Sequence, residues 1–201
     1  MDINFGKGLD SISGEAFEHC TALKSISLPT TMESLCHGAF RGCVKLIDVK
    51  LRGAHLDELG PEVFAQCVSL QRIRVPPTIE IVNDGVFCGC IKLVQVDLCN
   101  GLKHIEKDVF RGCKSLKFIT IPSTVIKIGD AAFYGCEELK EVKICEGLQC
   151  IGRYAFACTS LERLQAGAEV RNPQKSTYRH RSAAAGLFPA AADAGAPNRT
   201  R

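Results

Sequence analysis

The chain has 201 residues, is 46% hydrophobic, contains ten Phe and no Trp, and carries a formal net charge of +3. The segment from Arg171 onward holds six of the 25 basic residues and one of the 22 acidic ones, leaving a near-neutral 19 against 21 in positions 1–170. That balance argues against a body that binds nucleic acid through its charge, and no apolar run approaches the ~18 residues of a membrane span.

In chain order, MDINFGKGLDSIS has no basic stretch followed by an apolar one, so no signal peptide is expected. An intracellular location is expected for the chain as given, and a secreted or cell-surface one if it is a fragment of a longer protein. From there a single unit recurs. Phenylalanines preceded by Ala or Val stand at Phe17, Phe40, Phe64, Phe87, Phe110, Phe133 and Phe156, at intervals of 23 or, once, 24. A fixed period of this size is the signature of a solenoid.

Other columns keep step with the Phe. Three residues on come Cys20, Cys43, Cys67, Cys90, Cys113 and Cys136, and six on comes Leu23 and its equivalents. Nine on stand Ile26, Val49, Ile73, Val96, Ile119 and Val142; eleven on stand Leu28, Leu51, Val75, Leu98, Ile121 and Ile144. Proline often follows, at Pro29, Pro76 and Pro122. The alternation of β-branched and aliphatic residues in Leu-x-x-Ile-x-Leu predicts a short strand that the proline ends. Eight such strands are expected, around Ile3, Ile26, Val49, Ile73, Val96, Ile119, Val142 and Leu164. Stacked units would pair them in a parallel sheet with strands about 4.8 Å apart.

The stretch Ile-Gly-x-x-Ala-Phe-x-x-Cys is expected to bring the chain back through a turn and a single helical turn. Phe and Cys would point inward there. Each unit relies on its neighbours to cover its apolar face. The 24-residue interval places one extra residue between Leu51 and Leu56, and the last copy is one residue short after Phe156.

Ile128-Gly129-Asp130-Ala131-Ala132-Phe133-Tyr134-Gly135-Cys136, continuing to Leu139, Val142 and Ile144, resembles the leucine-rich repeat family, specifically its BspA-like class. The resemblance covers about 165 residues in seven consecutive copies. It implies a curved repeat solenoid over 1–166 with a parallel β-sheet on the concave side. Turns and short helical or β segments would lie on the other side, and the N-terminal unit would be incomplete. It also implies adhesion or protein binding. The segment 167–201, rich in Ala and Arg, is expected to be a disordered tail.

Candidate chemistry is sparse. The cysteine column would place thiols one coil apart with parallel side chains, poor geometry for bridging, so a reduced, buried ladder is expected. Cys36, Cys88, Cys99, Cys145, Cys150 and Cys158 are scattered; Cys99 and Cys145 share a column two coils apart, about 10 Å. His19, His37, His55, His104 and His180 fall in different columns, and no residue pattern calls for a metal, a cofactor or a catalytic centre.

The candidate partner-binding residues are those eight and ten after each Phe, which alternate outward from the strands. They are Ser25 and Ser27, Asp48 and Lys50, Arg72 and Arg74, Gln95 and Asp97, Phe118 and Thr120, and Glu141 and Lys143. Arg and aromatic residues are the types enriched at binding hot spots, so a protein partner is expected on this row. Two further expectations concern the ends. The strand at Ile3–Phe5 would leave an unpaired edge open to self-association. The tail, with Tyr178 among Arg171, Lys175, Arg179, His180 and Arg181, offers an alternative contact for nucleic acid or an acidic surface.

Overall fold

The computed structural model describes residues 1–51 and 55–166. Within them the chain winds into a parallel β-solenoid of about seven turns. The predicted tail and the inserted residue near 52–54 lie outside the described residues.

Each coil contributes two strands. The longer set is β1 (Asp2–Asn4), β3 (Ser25–Ser27), β5 (Asp48–Lys50), β7 (Arg72–Arg74), β9 (Gln95–Asp97), β11 (Phe118–Ile121), β13 (Glu141–Ile144) and β15 (Arg163–Ala166). These are the eight strands the alternation predicts. The pairing register matches the repeat: Ile3 faces Ile26, Ile73 faces Val96, and Ile119 faces Val142. The sheet is not one continuous ladder, however. It runs as β1-β3-β5, then β7-β9, then β11-β13-β15. The first break coincides with the 24-residue unit, whose extra residue falls between β5 and β7.

The shorter set lies past the proline column, each strand two residues long: β2 (Ser11–Ile12), β4 (Ser34–Leu35), β6 (Glu58–Leu59), β8 (Ile81–Val82), β10 (His104–Ile105), β12 (Lys127–Ile128) and β14 (Cys150–Ile151). All seven join in one uninterrupted parallel sheet. Between the two sheets runs the Phe-Cys wall, and there the expected helical turn is absent among the described residues. The residues two before and two after each Phe adopt left-handed backbone: for example Glu62 (φ 56) and Gln66 (φ 59) around Phe64, and Gly85 (φ 63) and Gly89 (φ 72) around Phe87.

The hydrogen bonding explains this. The N–H groups of Glu62, Phe64 and Gln66 donate to Asp84, Val86 and Cys88 of the next coil at 2.9, 3.0 and 2.7 Å. Those of Ala65 and Cys67 donate back within their own coil, to Glu62 and Phe64 at 3.0 and 3.2 Å. Alternating left- and right-handed residues thus send every second N–H to a neighbour, which a helix, bonding only within itself, does not do. Recurrent Gly at these positions (Gly42, Gly85, Gly89, Gly112, Gly135) removes the steric cost and disfavours a helix.

The core is a stack of columns. Phe40, Phe64, Phe87, Phe110 and Phe133 are fully buried, and successive rings stack with centroids 5.1–6.0 Å apart from Phe17 to Phe156. From Cys43 to Cys136 the cysteine column is buried beside them, with Cys20 half-buried at its start, and its thiols do more than fill space. Cys43, Cys67, Cys90, Cys113 and Cys136 each donate through Sγ to the carbonyl of the Phe one coil earlier, at 3.1–3.2 Å. That carbonyl also accepts an N–H from its own coil, for instance Cys67 N–H to Phe64. The thiol therefore occupies its second lone pair. No polar or charged residue is buried among the described residues.

Candidate functional site

A two-residue period sets the outer face of the long sheet. Along β5, β7, β9, β11 and β13 the central residue is buried and its neighbours look out: Val49 between Asp48 and Lys50, Ile73 between Arg72 and Arg74. Asp48, Lys50, Arg72, Arg74, Asp97, Phe118, Thr120 and Lys143 are exposed, whereas Ser25, Ser27, Gln95 and Glu141 are half-buried. Phe118 is 59% exposed, large for an aromatic residue on a sheet.

Register places these residues side by side. Arg72 lies opposite Gln95 and Arg74 opposite Asp97; Phe118 lies opposite Glu141 and Thr120 opposite Lys143. Several are already engaged. Lys50 Nζ is 3.5 Å from Asp48 Oδ2, and Gln95 Nε2 donates to Asp97 Oδ1 at 2.9 Å. A hydrogen bond with Cys99 is the leading cause that raises the Arg74 pKa above its already high ordinary value, so it stays a cation. Arg72 has no ion-pair partner among the described residues.

The corner where the chain enters each long strand was not singled out by the alternation. Ile47 (49% exposed), Ile91 (39%) and Val94 (36%) sit there with their side chains in solvent. The available signal was columnar: seven after Phe, the residues are Lys24, Ile47, Gln71, Val94, Lys117 and Lys140. Two apolar residues stand out in an otherwise polar column.

On the short sheet, Lys127 Nζ reaches both Glu106 carboxylate oxygens at 2.8 and 3.1 Å, and the same Glu106 lies 3.8 Å from His104 Nδ1. Glu106, as hydrogen-bond partner, raises the Lys127 pKa. This trio ties three positions of two neighbouring coils together. On the Phe-Cys wall, Arg41 bridges Glu18 and Glu62 at 3.6 and 3.0 Å, and Arg111 lies over the Tyr134 ring at 5.2 Å. These groups act between coils, as stitches along the solenoid. All twelve cysteines are free thiols. Cys158 is exposed in left-handed backbone (φ 56), because the one-residue deletion moves it into the position that Gly135 holds one coil earlier. Among the described residues no group of three or more His, Cys, Asp or Glu is arranged to hold a metal, and no helix is long and apolar enough to cross a membrane. The basic tail residues Arg171, Lys175, Tyr178, Arg179, His180 and Arg181 lie outside the described residues.

The sequence matches the family described as BspA type leucine rich repeat region (6 copies) over residues 1–117 and 103–185. Among solved structures it is similar to the T. pallidum leucine-rich repeat protein TpLRR, with 30% identity and a TM-score of 0.69 over 75% of this chain and 72% of that one. It is also similar in fold to the pneumococcal vaccine antigen PcpA, with 16% identity and a TM-score of 0.52 over 82% of this chain and 60% of that one. No curated protein matches the sequence.

Proposed function

The chain belongs to the BspA-type leucine-rich repeat family, and from that premise we propose that it is a non-catalytic protein-binding scaffold that uses the outer face of its long sheet. One observation carries the reading. Residues that point inward are nearly the same in every coil, while those that point outward differ from coil to coil, from Asp48 and Lys50 through Arg72 and Arg74 to Phe118 and Thr120. A uniform interior needs no partner to explain it. A varied row of charged residues with one bare aromatic offers side chains in fixed columns, so a partner meets a preformed surface and little ordering is needed on this side.

The residues of this reading are Asp48, Lys50, Arg72, Arg74, Gln95, Asp97, Phe118, Thr120, Glu141 and Lys143. The test is affinity capture on immobilised full-length chain, identification of the captured protein, and its titration against variants. Arg72→Ala and Phe118→Ala are expected to weaken binding by about tenfold each, as truncated hot spots do, with an unchanged melting temperature. Binding that is indifferent to these changes but disappears, with steep salt dependence, on removal of residues 171–201 would assign the contact to the basic tail.

A further inference from the structure

Four of the large apolar residues that the described surface leaves exposed fall on one corner of the solenoid. Ile47, Ile91 and Val94 lie in the turn leading into the long strands, and Phe118 opens β11 beside them. Backbone bonds tie the corner together across coils: Ile47 N–H donates to Lys24 at 2.9 Å, Val94 N–H to Gln71 at 2.9 Å and Ser115 N–H to Ile91 at 3.2 Å. With coils about 4.8 Å apart, the stripe from Ile47 to Phe118 runs three coils, roughly 14 Å, along the solenoid axis, with Gln71 of the intervening coil between Ile47 and Val94.

Charge divides this corner into two halves. In the later coils its cations are neutralised within the chain. Lys114 pairs with Glu137 at 2.8 Å, Lys117 with Glu138 at 3.7 Å and Lys140 with Glu162 at 3.2 Å. In the earlier coils Lys45, Arg72 and Lys92 border the apolar stripe and have no ion-pair partner among the described residues. Exposed apolar groups ringed by uncompensated positive charge are complementary to a surface carrying carboxylates and bulky apolar side chains together.

We propose that this corner takes an extended, acidic polypeptide segment with interspersed bulky apolar residues, lying along the solenoid axis across the strands. Spacing supports this orientation. Arg72 and Phe118 are two coils apart, about 10 Å, and an extended chain of polyproline-II form covers that distance in three residues at about 3.1 Å each, its three-residue turn bringing the first and fourth side chains to the same face. A carboxylate over Arg72 and an apolar side chain against Phe118 and Val94 are thus three residues apart in the partner. A nucleic acid fits less well: the stripe is mostly aliphatic rather than aromatic, so it offers few stacking platforms. The near-neutral charge of positions 1–170 adds no long-range attraction. This inference rests on the protein-binding reading; it keeps Arg72 and Phe118 of the sheet face and moves the rest of the contact toward the corner, to Lys45, Ile47, Ile91, Lys92 and Val94.

The test uses the full chain and fluorescence anisotropy with labelled short peptides. One carries Glu and Phe three apart in a Ser background; a second replaces Glu by Lys; a third replaces Phe by Ser. A labelled oligothymidylate is the fourth probe. The Glu/Phe peptide is expected to bind about tenfold or more tightly than the other three. The double variant Arg72→Glu, Lys92→Glu is expected to reverse the preference in favour of the Lys/Phe peptide. Val94→Asp is expected to weaken the Glu/Phe peptide while leaving the melting temperature unchanged. Equal binding of the Glu and Lys peptides, preference for the oligonucleotide, or no reversal by the double variant would overturn the proposal. The two readings separate through their own residues. If Arg74→Ala and Lys143→Ala abolish capture of a protein partner while Lys92→Glu and Val94→Asp do not, the corner proposal falls and the sheet-face reading stands.

Discussion

The Phe-Cys wall and the outer face of the long sheet are built from the same coils under opposite rules. In the wall, rings stack from Phe17 to Phe156, and from Cys43 to Cys136 each thiol reaches the Phe carbonyl one coil earlier. On the outer face no two coils present the same pair of side chains, and the hydrogen-bonded ladder beneath them is interrupted twice. The difference shows where selection of residue type has a physical reason. A stacked interior has one best answer, repeated; a solvated face has none of its own, so its letters are free to serve a partner.

The comparison breaks most sharply at the centre of the wall. Phe87 stacks on Phe64 and Phe110 with centroids 6.0 and 5.5 Å away, and is fully buried. Phe87→Ala is expected to lower the unfolding free energy by about 3–5 kcal/mol through the cavity it leaves, read from urea denaturation. Because coils contact only their neighbours, the transition should also broaden.

Alkali is the next largest effect. Burial, the leading cause, pushes the Cys43 thiol up to about 11 and Cys136 up to about 12 from an ordinary 9.0, and raises Cys67, Cys90 and Cys113 in the same direction. The folded state therefore keeps protons that the unfolded chain releases. The stability is fully present below about pH 9 and is lost as pH rises toward about 12, because there the unfolded state binds fewer protons. Urea midpoints measured at rising pH should fall over this window, and Cys113→Val should make the fall shallower.

A smaller change sharpens the backbone side of the comparison. Ala131 holds left-handed backbone at φ 52, where neighbouring coils place Asp108 and Tyr154. Ala131→Gly is expected to stabilise by about 0.5–1 kcal/mol, the steric relief exceeding the added freedom of the unfolded chain. Smallest of all, Lys143→Ala on the outer face should shift stability by less than about 0.5 kcal/mol, since its side chain is exposed. A larger loss would mean that this face carries part of the fold.

Much of this architecture was legible in the chain itself. The period, the inward columns and the outward row of Asp48 to Lys143 follow from regular spacing, because a coil that repeats its geometry repeats its burial, and burial dictates residue type. The turn around each Phe was not legible in that way. Its left-handed positions hold Glu15, Glu62, Asp108, Ala131 and Tyr154 as well as glycines, so no single residue type marks them; only the recurrence of Gly two after Phe was available as a signal. The second sheet was similarly obscured, since its two-residue strands are too short for alternation to register.

The sequence by itself thus determined the solenoid, its register and which columns are interior, since hydrophobic burial acts at the same place in each unit. Only the tertiary structure decided the alternating backbone of the Phe-Cys wall, the thiol bonds to the Phe carbonyls, and the division of the corner into paired and unpaired cations. Each of these depends on what lies one coil away, about 23 residues along the chain but one strand spacing in space.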